Sequence, residues 1–186
     1  AHEKGSIYAG LGSAGVAVIN ADDAHAGLWR ELNAGRDIVT FGIDQAADIA
    51  GRCTLRGLGS RVELDTPQGG IEFVLPVPGV HNARNAVGAA AACLSAGATL
   101  AAVAEGLAGF AGIQGRLQRR RAPSGALVLD DSYNANPDSV RAAIDVLAAM
   151  PGHTWLVLGD MGELGETSAQ IHDEIAAMAM GYHTLV

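Results

Sequence analysis

Residues 127 to 139 read LVLDDSYNANPDS, three apolar residues followed by Asp130, Asp131, Ser132, Asn134, Asn136, Asp138 and Ser139, with Tyr133, Ala135 and Pro137 interspersed. So many carboxylates, hydroxyls and amides on one turn either start a helix or hold a ligand. Asn136 followed by Pro137 is a strong helix start, because the amide accepts an orphan backbone N–H and proline at the first helical position loses nothing by lacking one. Asp138 then sits at the positive end of the helix dipole. These roles account for Asn136 through Ser139. Asp130, Asp131, Ser132 and Asn134 lie before the cap, where Asx turns explain some of them and a ligand would explain the rest.

A second set lies in GVHNARNA, residues 79 to 86. Asn82 and Asn85 are three apart at a helix start and project on neighbouring faces of one turn. Each amide offers a donor and an acceptor. Asn82 is equally a plausible N-cap, which leaves Asn85 unexplained. Arg119, Arg120 and Arg121 read as a solvated linker face. Lys4, taken alone, reads as an exposed lysine near a terminus.

These side chains need a frame. Val16–Asn20, a helix over 24–32 and a strand over 38–43 form a β–α–β unit with parallel pairing. Residues 48–57, 60–66 and 70–77 alternate polar and apolar types between turn sequences, as three antiparallel strands do. A helix opens at GVHNARNA and ends at Gly97, and Thr99 caps another through about Ala108. Pro123, Ser124 and Gly125 break regular structure and mark a boundary near 115–124. Beyond it, a strand at 126–130, a helix at 137–150, a strand at 154–158, a helix at 167–180 and a strand begun after Gly181 give the opening of a doubly wound sheet. Ligands of such sheets sit beyond the carboxyl ends of the strands, where 130–136 and 159–166 lie. Thr167 with Gln170 fits a capping box, and His172, near Ile171 and Ile175, reads as a satisfied helix histidine.

The 186 residues suffice for one good core or two small ones, and the net charge of −8 argues against nucleic-acid binding. Half the chain is apolar with few aromatics, which suits close helix–sheet packing by Ala, Val, Leu and Ile. Cys53 and Cys93 form no metal or redox motif and read as reduced thiols of a cytosolic protein. No apolar run reaches the length of a membrane span and no signal peptide is visible. The start without Met and the tail GYHTLV suggest a fragment.

The motifs GVHNARNA, GRL, DDSYNANPDS and LGDMGELGE, in this order, closely resemble those of the Mur ligases, over essentially the whole chain. The resemblance implies an α/β fold: the second half of a central ATPase domain (mixed sheet, antiparallel ribbon and helices) over 1–115, a linker at 116–124, and the first part of a Rossmann-like C-terminal domain over 125–186. It implies a cytoplasmic, ATP- and magnesium-dependent ligase of peptidoglycan precursor synthesis. YNANPDS with LGDMGELG favours the activity that joins D-alanyl-D-alanine to UDP-N-acetylmuramoyl-tripeptide through an acyl phosphate. On that resemblance Lys4 forms a carbamate with carbon dioxide and ligates magnesium, Asn82 and Asn85 contact adenine, Arg116 reaches the phosphates and Asp131 engages the ribose. His81 belongs to the same motif. Tyr133, Asn134, Asp160 and Glu163 line the same edge, where carboxylates would favour the ammonium of the incoming dipeptide. The phosphate loop GxxxxGK(S/T) and the family's upstream metal ligands are not in this sequence, so the chain by itself is expected to be inactive. The alternatives are another ligase of the superfamily, acting on folate or cyanophycin, or a non-catalytic binding module. A dinucleotide oxidoreductase would need GxGxxG where DDSYNANP stands.

Overall fold

The computed structural model describes residues 1–110 and 112–180. These form two compact units, the first of 1–76 with 80–110, the second of 77–79 with the described residues beyond 110. No described helix is long and apolar enough to cross a membrane.

In the first unit a short helix α1, His2–Gly5, precedes a five-stranded sheet. Strands β1 (Val16–Asn20) and β2 (Asp37–Gly42) run parallel, Val16 opposite Asp37 and Asn20 opposite Phe41. Parallel neighbours need a crossover, supplied here by α2, Ala26–Leu32. Strand β3, Ile49–Arg56, adds parallel to β2, and β4 (Gly59–Thr66) and β5 (Gly69–Leu75) complete an antiparallel meander. Gly57, with φ of 58°, makes the first two-residue turn. In the second, the Thr66 hydroxyl accepts from Gln68 N–H and donates to the Gly69 carbonyl.

Helix α3, Val80–Ser95, lies on this sheet and buries Ala83, Ala86, Val87, Ala90, Ala91 and Leu94, one stripe at helical spacing. Small residues set the approach. A Cβ at Gly51 would stand 2.5 Å from Val87 Cγ2, and one at Gly88 would stand 2.9 Å from Phe41 Cζ. Val87 is fully buried and has nowhere to move. Gly51→Ala is therefore expected to destabilise the first unit by about 1–3 kcal/mol. The check is the urea midpoint at unchanged slope, and an unmoved midpoint would refute the tight contact.

The start of α3 differs from expectation. The helix begins at Val80, so Asn82 lies inside the first turn and is not its cap. Buried Pro78 and Gly79, at φ of 103°, turn the chain into the helix ahead of the start that an Asn82 cap would give. Helix α4, Leu100–Ala108, packs along β5 and is capped as expected, the Thr99 side chain accepting from Ala102 N–H.

In the second unit β6 (Gln118–Arg121) and β7 (Leu127–Asp130) form an antiparallel hairpin, closed by Ala122 N–H on the Ala126 carbonyl and Gly125 N–H on the Ala122 carbonyl. Much of the expected 116–124 linker is thus a strand and its turn. In helix α5, Pro137–Ala148, the Asn136 side chain accepts from Ser139 N–H and Asn136 N–H donates in return to the Ser139 hydroxyl. Together with α6, Ser168–Met180, α5 builds a core of Val140, Ile144, Met161, Ile175 and Ala179.

Two local expectations fail here. Residues 154–158 form no named strand and carry a single bridge at Leu156. Leu156 and Leu158 pack on the core while Trp155 and Val157 are 65% and 78% exposed. Alternation thus fixes the side chains without a ladder among the described residues. Thr167 lies inside a 3₁₀ turn, Gly165–Thr167, and donates back to the Leu164 carbonyl, so it caps nothing, while Gln170 donates to Glu174. The strand expected after Gly181 falls outside the described residues.

Candidate functional site

At the carboxyl ends of β1 and β2 the structure builds a clamp that no motif announced. The Asp22 side chain is only 6% exposed. Its two oxygens accept from the backbone N–H groups of Ile43, Asp44 and Gln45, the turn that leaves β2, at 2.8–3.0 Å. Arg84 of α3 donates from Nε to Asp22 at 3.0 Å and from a terminal nitrogen to Asp44 at 2.7 Å. Burial pushes the Asp22 carboxyl up, but the bonds from Ile43, Gln45, Arg84 and Asp44 outweigh it and hold the group below the ordinary carboxylate range. Gly42 is part of the fit, since a Cβ there would lie 2.8 Å from Asp22 Oδ1.

Arg84 sits between Asn82 and Asn85, so the clamp ties the first turns of α3 to the sheet edge. Asn82 is half-buried and Asn85 exposed. Lys4 is exposed in α1, which is seated by buried Gly5 against Trp29 and Leu32. Among the described residues no group of three His, Cys, Asp or Glu is placed to hold a metal ion. A carbamate on Lys4 would supply one anionic oxygen ligand, and magnesium takes its remaining positions from other protein oxygens, waters and substrate phosphates. The residues described here do not by themselves make the magnesium site that the resemblance implies.

The second unit brings Arg116, Asp131 and Tyr133 together. Asp131 Oδ1 accepts from Leu117 N–H at 3.0 Å, and Tyr133 N–H donates to the Gly115 carbonyl at 2.9 Å. Between those two anchors the Arg116 guanidinium lies over the Tyr133 ring, 4.4 Å from its centroid. Asp130 turns the other way: Ser132 donates to it from both hydroxyl and N–H and lowers its pKa, with the charge of Arg120 assisting. The polar run thus divides into an Asx turn at Asp130, a lock at Asp131 and a helix cap at Asn136. Asn134 remains exposed.

Asp160, also exposed, lies at the start of the 160–166 loop beside His172. The His172 ring lies 2.8 Å from the Ser168 carbonyl at Nδ1, and its Nε2 accepts from Met161 N–H at 3.1 Å, with Asp160 Oδ1 2.9 Å from the same nitrogen. A neutral ring protonated on Nδ1 satisfies the first two bonds. Glu163 in this loop is a non-glycine residue at φ of 60°. Lys4, Asn82 and Asn85 belong to the first unit; Arg116, Asp131, Tyr133, Asn134 and Asp160 belong to the second.

Comparison with known proteins adds the following. A family model described as the Mur ligase middle domain matches residues 1–93, and one described as Mur ligase, glutamate ligase domain matches 115–186. The UDP-N-acetylmuramoyl-tripeptide–D-alanyl-D-alanine ligase of Escherichia coli is 41% identical over 97% of this chain, which covers 41% of that protein. A crystal structure of MurF from Acinetobacter baumannii superposes with a TM-score of 0.87 at 32% identity, over 99% of this chain and 45% of that one. MurF ligase from Thermotoga maritima, solved with ADP, gives a TM-score of 0.76 over 94% of this chain and 44% of that one; at 22% identity it shows a shared fold only. The chain therefore spans about two fifths of the length of the curated relative it matches.

Proposed function

Since the chain belongs to the Mur ligase family, we propose that it works as part of an ATP-dependent ligase that joins D-alanyl-D-alanine to UDP-N-acetylmuramoyl-tripeptide in peptidoglycan precursor synthesis, in the cytoplasm. The observation that carries this reading is the Arg116–Asp131–Tyr133 cluster: a guanidinium over the Tyr133 ring, without an ion pair among the described residues, and a carboxylate bonded to the Leu117 N–H. Overall, the tripeptide carboxylate takes the terminal phosphoryl group of ATP and the amine of the dipeptide then displaces phosphate, leaving an amide, ADP and phosphate. The protein's part is to position and to stabilise charge. Arg116 would meet the phosphates with its N–H edges. Asp131 spends Oδ1 on Leu117 N–H and keeps Oδ2 for a ribose hydroxyl. Asn82 and Asn85 would read the adenine edge, with α3 held by the Asp22–Arg84 clamp. Asn134 and Asp160 would face the incoming dipeptide, whose ammonium suits the exposed Asp160 carboxylate. Lys4, as a carbamate, would add a single ligand to a magnesium site completed elsewhere.

The test is Asp131→Ala beside Asp131→Asn in the complete ligase. Asparagine retains the acceptor for Leu117 N–H and loses the charge. Hydrogen bonds to charged groups contribute roughly 1.5–3 kcal/mol, about ten- to a hundredfold in affinity. The alanine variant should therefore raise KM for ATP by at least about tenfold, with an unchanged far-UV spectrum. Wild-type KM and turnover in both variants would remove Asp131 from the nucleotide site.

A further inference from the structure

We infer that Tyr133 is a positioning residue for Arg116, its ring holding the guanidinium ready for a nucleotide phosphate, rather than a contact for the incoming dipeptide; this rests on the phosphate role proposed for Arg116. The Arg116 guanidinium carbon lies 4.4 Å from the ring centroid. Arg116 is exposed and makes no ion pair among the described residues, whereas Arg84, Arg120 and Arg141 are each matched to carboxylates. An exposed arginine without support samples many rotamers and must be ordered when it meets a ligand. A ring beneath its face supplies that order beforehand and leaves the in-plane N–H donors unspent, because the cation–π contact uses the face and phosphate uses the edges.

The backbone around the pair is fixed on both sides. Gly115 accepts from Tyr133 N–H and Leu117 donates to Asp131, so the residues flanking Arg116 are each bonded to the opposite turn. Gly115, at φ of 70°, has Tyr133 N only 3.0 Å from where a Cβ would stand. Leu117 holds φ of 48°, uncommon for a non-glycine residue, and keeps it with its side chain only 3% exposed. A strained, buried residue directly after Arg116 fixes where the arginine leaves the chain, and the ring fixes where it ends. One face of the ring is thereby taken, which leaves the hydroxyl as the part of Tyr133 best placed to touch a dipeptide.

That difference sets the experiment. In the 186-residue chain, the Arg116 Nε–H resonance should be shifted upfield by the ring current in wild type and in Tyr133→Phe, and should lose that shift in Tyr133→Leu. In the complete ligase, Tyr133→Leu should raise KM for ATP about two- to tenfold, the cost of ordering one long side chain. KM for D-alanyl-D-alanine should stay unchanged, and Tyr133→Phe should restore the ATP value. A missing ring-current shift in wild type overturns the stack. Impairment of Tyr133→Phe equal to that of the leucine variant, or a change confined to KM for the dipeptide, returns Tyr133 to substrate contact and overturns the inference. If Arg116→Ala leaves KM for ATP unchanged while the shift is present, the phosphate role of Arg116 fails, and the positioning role falls with it.

Discussion

Asp22→Ala is expected to lower the stability of the first unit by about 3 kcal/mol or more, the largest effect of any single substitution outside its apolar core. The carboxylate accepts three backbone N–H groups and one guanidinium while almost fully buried. Without it, water can reach the N–H groups of exposed Asp44 and Gln45, but Ile43 N–H is only partly accessible. Arg84 retains Asp44, whose side chain is 63% exposed and pairs in near-bulk dielectric. Domain stabilities are of order 5–15 kcal/mol, so this loss is a large share. The pH dependence follows from the depressed folded-state pKa. Above the ordinary carboxylate pKa the unfolded and folded forms are both charged and the contribution is complete; it is lost as pH falls through the lower, folded value. Urea unfolding at neutral and acid pH tests both points. The wild type should lose more stability on acidification than the alanine variant, with Asp48, lowered chiefly by its bonds from Thr40, supplying slope common to both. A variant within about 0.5 kcal/mol of wild type at neutral pH, the range of an ordinary surface change, would show that the clamp is incidental.

The clamp also shows what a sequence hides. Strands β1 to β5 are legible because β-branched runs, alternation and turn residues are local signals: VAVIN is a short β-branched apolar run, and Gly57 and Pro67–Gln68 punctuate the meander. The Asn136 cap was legible for the same reason. Asp22 and Arg84 are 62 residues apart and meet only because α3 crosses the ends of β1 and β2. Neither stands out locally, since Asp22 follows a strand and Arg84 lies between two asparagines. Tyr133 and Arg116 lie in separate motifs joined by a hairpin, which read as a linker because its strand is polar and exposed. The misplaced Asn82 cap has a different origin. An asparagine before an apolar run is a good cap, but a glycine at positive φ preceded by a buried proline overrides it. The candidate residues lie in local motifs, while the contacts that brace them depend on long-range packing.

Titrated with Mg-ATP, the 186-residue chain is expected to bind no tighter than about millimolar, and to release no phosphate when both substrates are added. It holds candidates for adenine, ribose and one phosphate contact at Asn82, Asn85, Asp131 and Arg116. No GxxxxGK(S/T) sequence occurs in it, and that loop is what cradles phosphates with backbone N–H groups and a lysine. Hydrogen bonds to charged groups contribute roughly 1.5–3 kcal/mol each, so two or three fewer remove about 3–9 kcal/mol. A micromolar site is near −8 kcal/mol and each 1.4 kcal/mol is about tenfold, which carries the affinity to millimolar or beyond calorimetric detection. Calorimetry and a phosphate-release assay decide the matter together. Micromolar binding would mean that a phosphate loop is dispensable for holding the nucleotide. Turnover would mean that the phosphoryl-transfer groups lie within this chain, at residues other than those assigned.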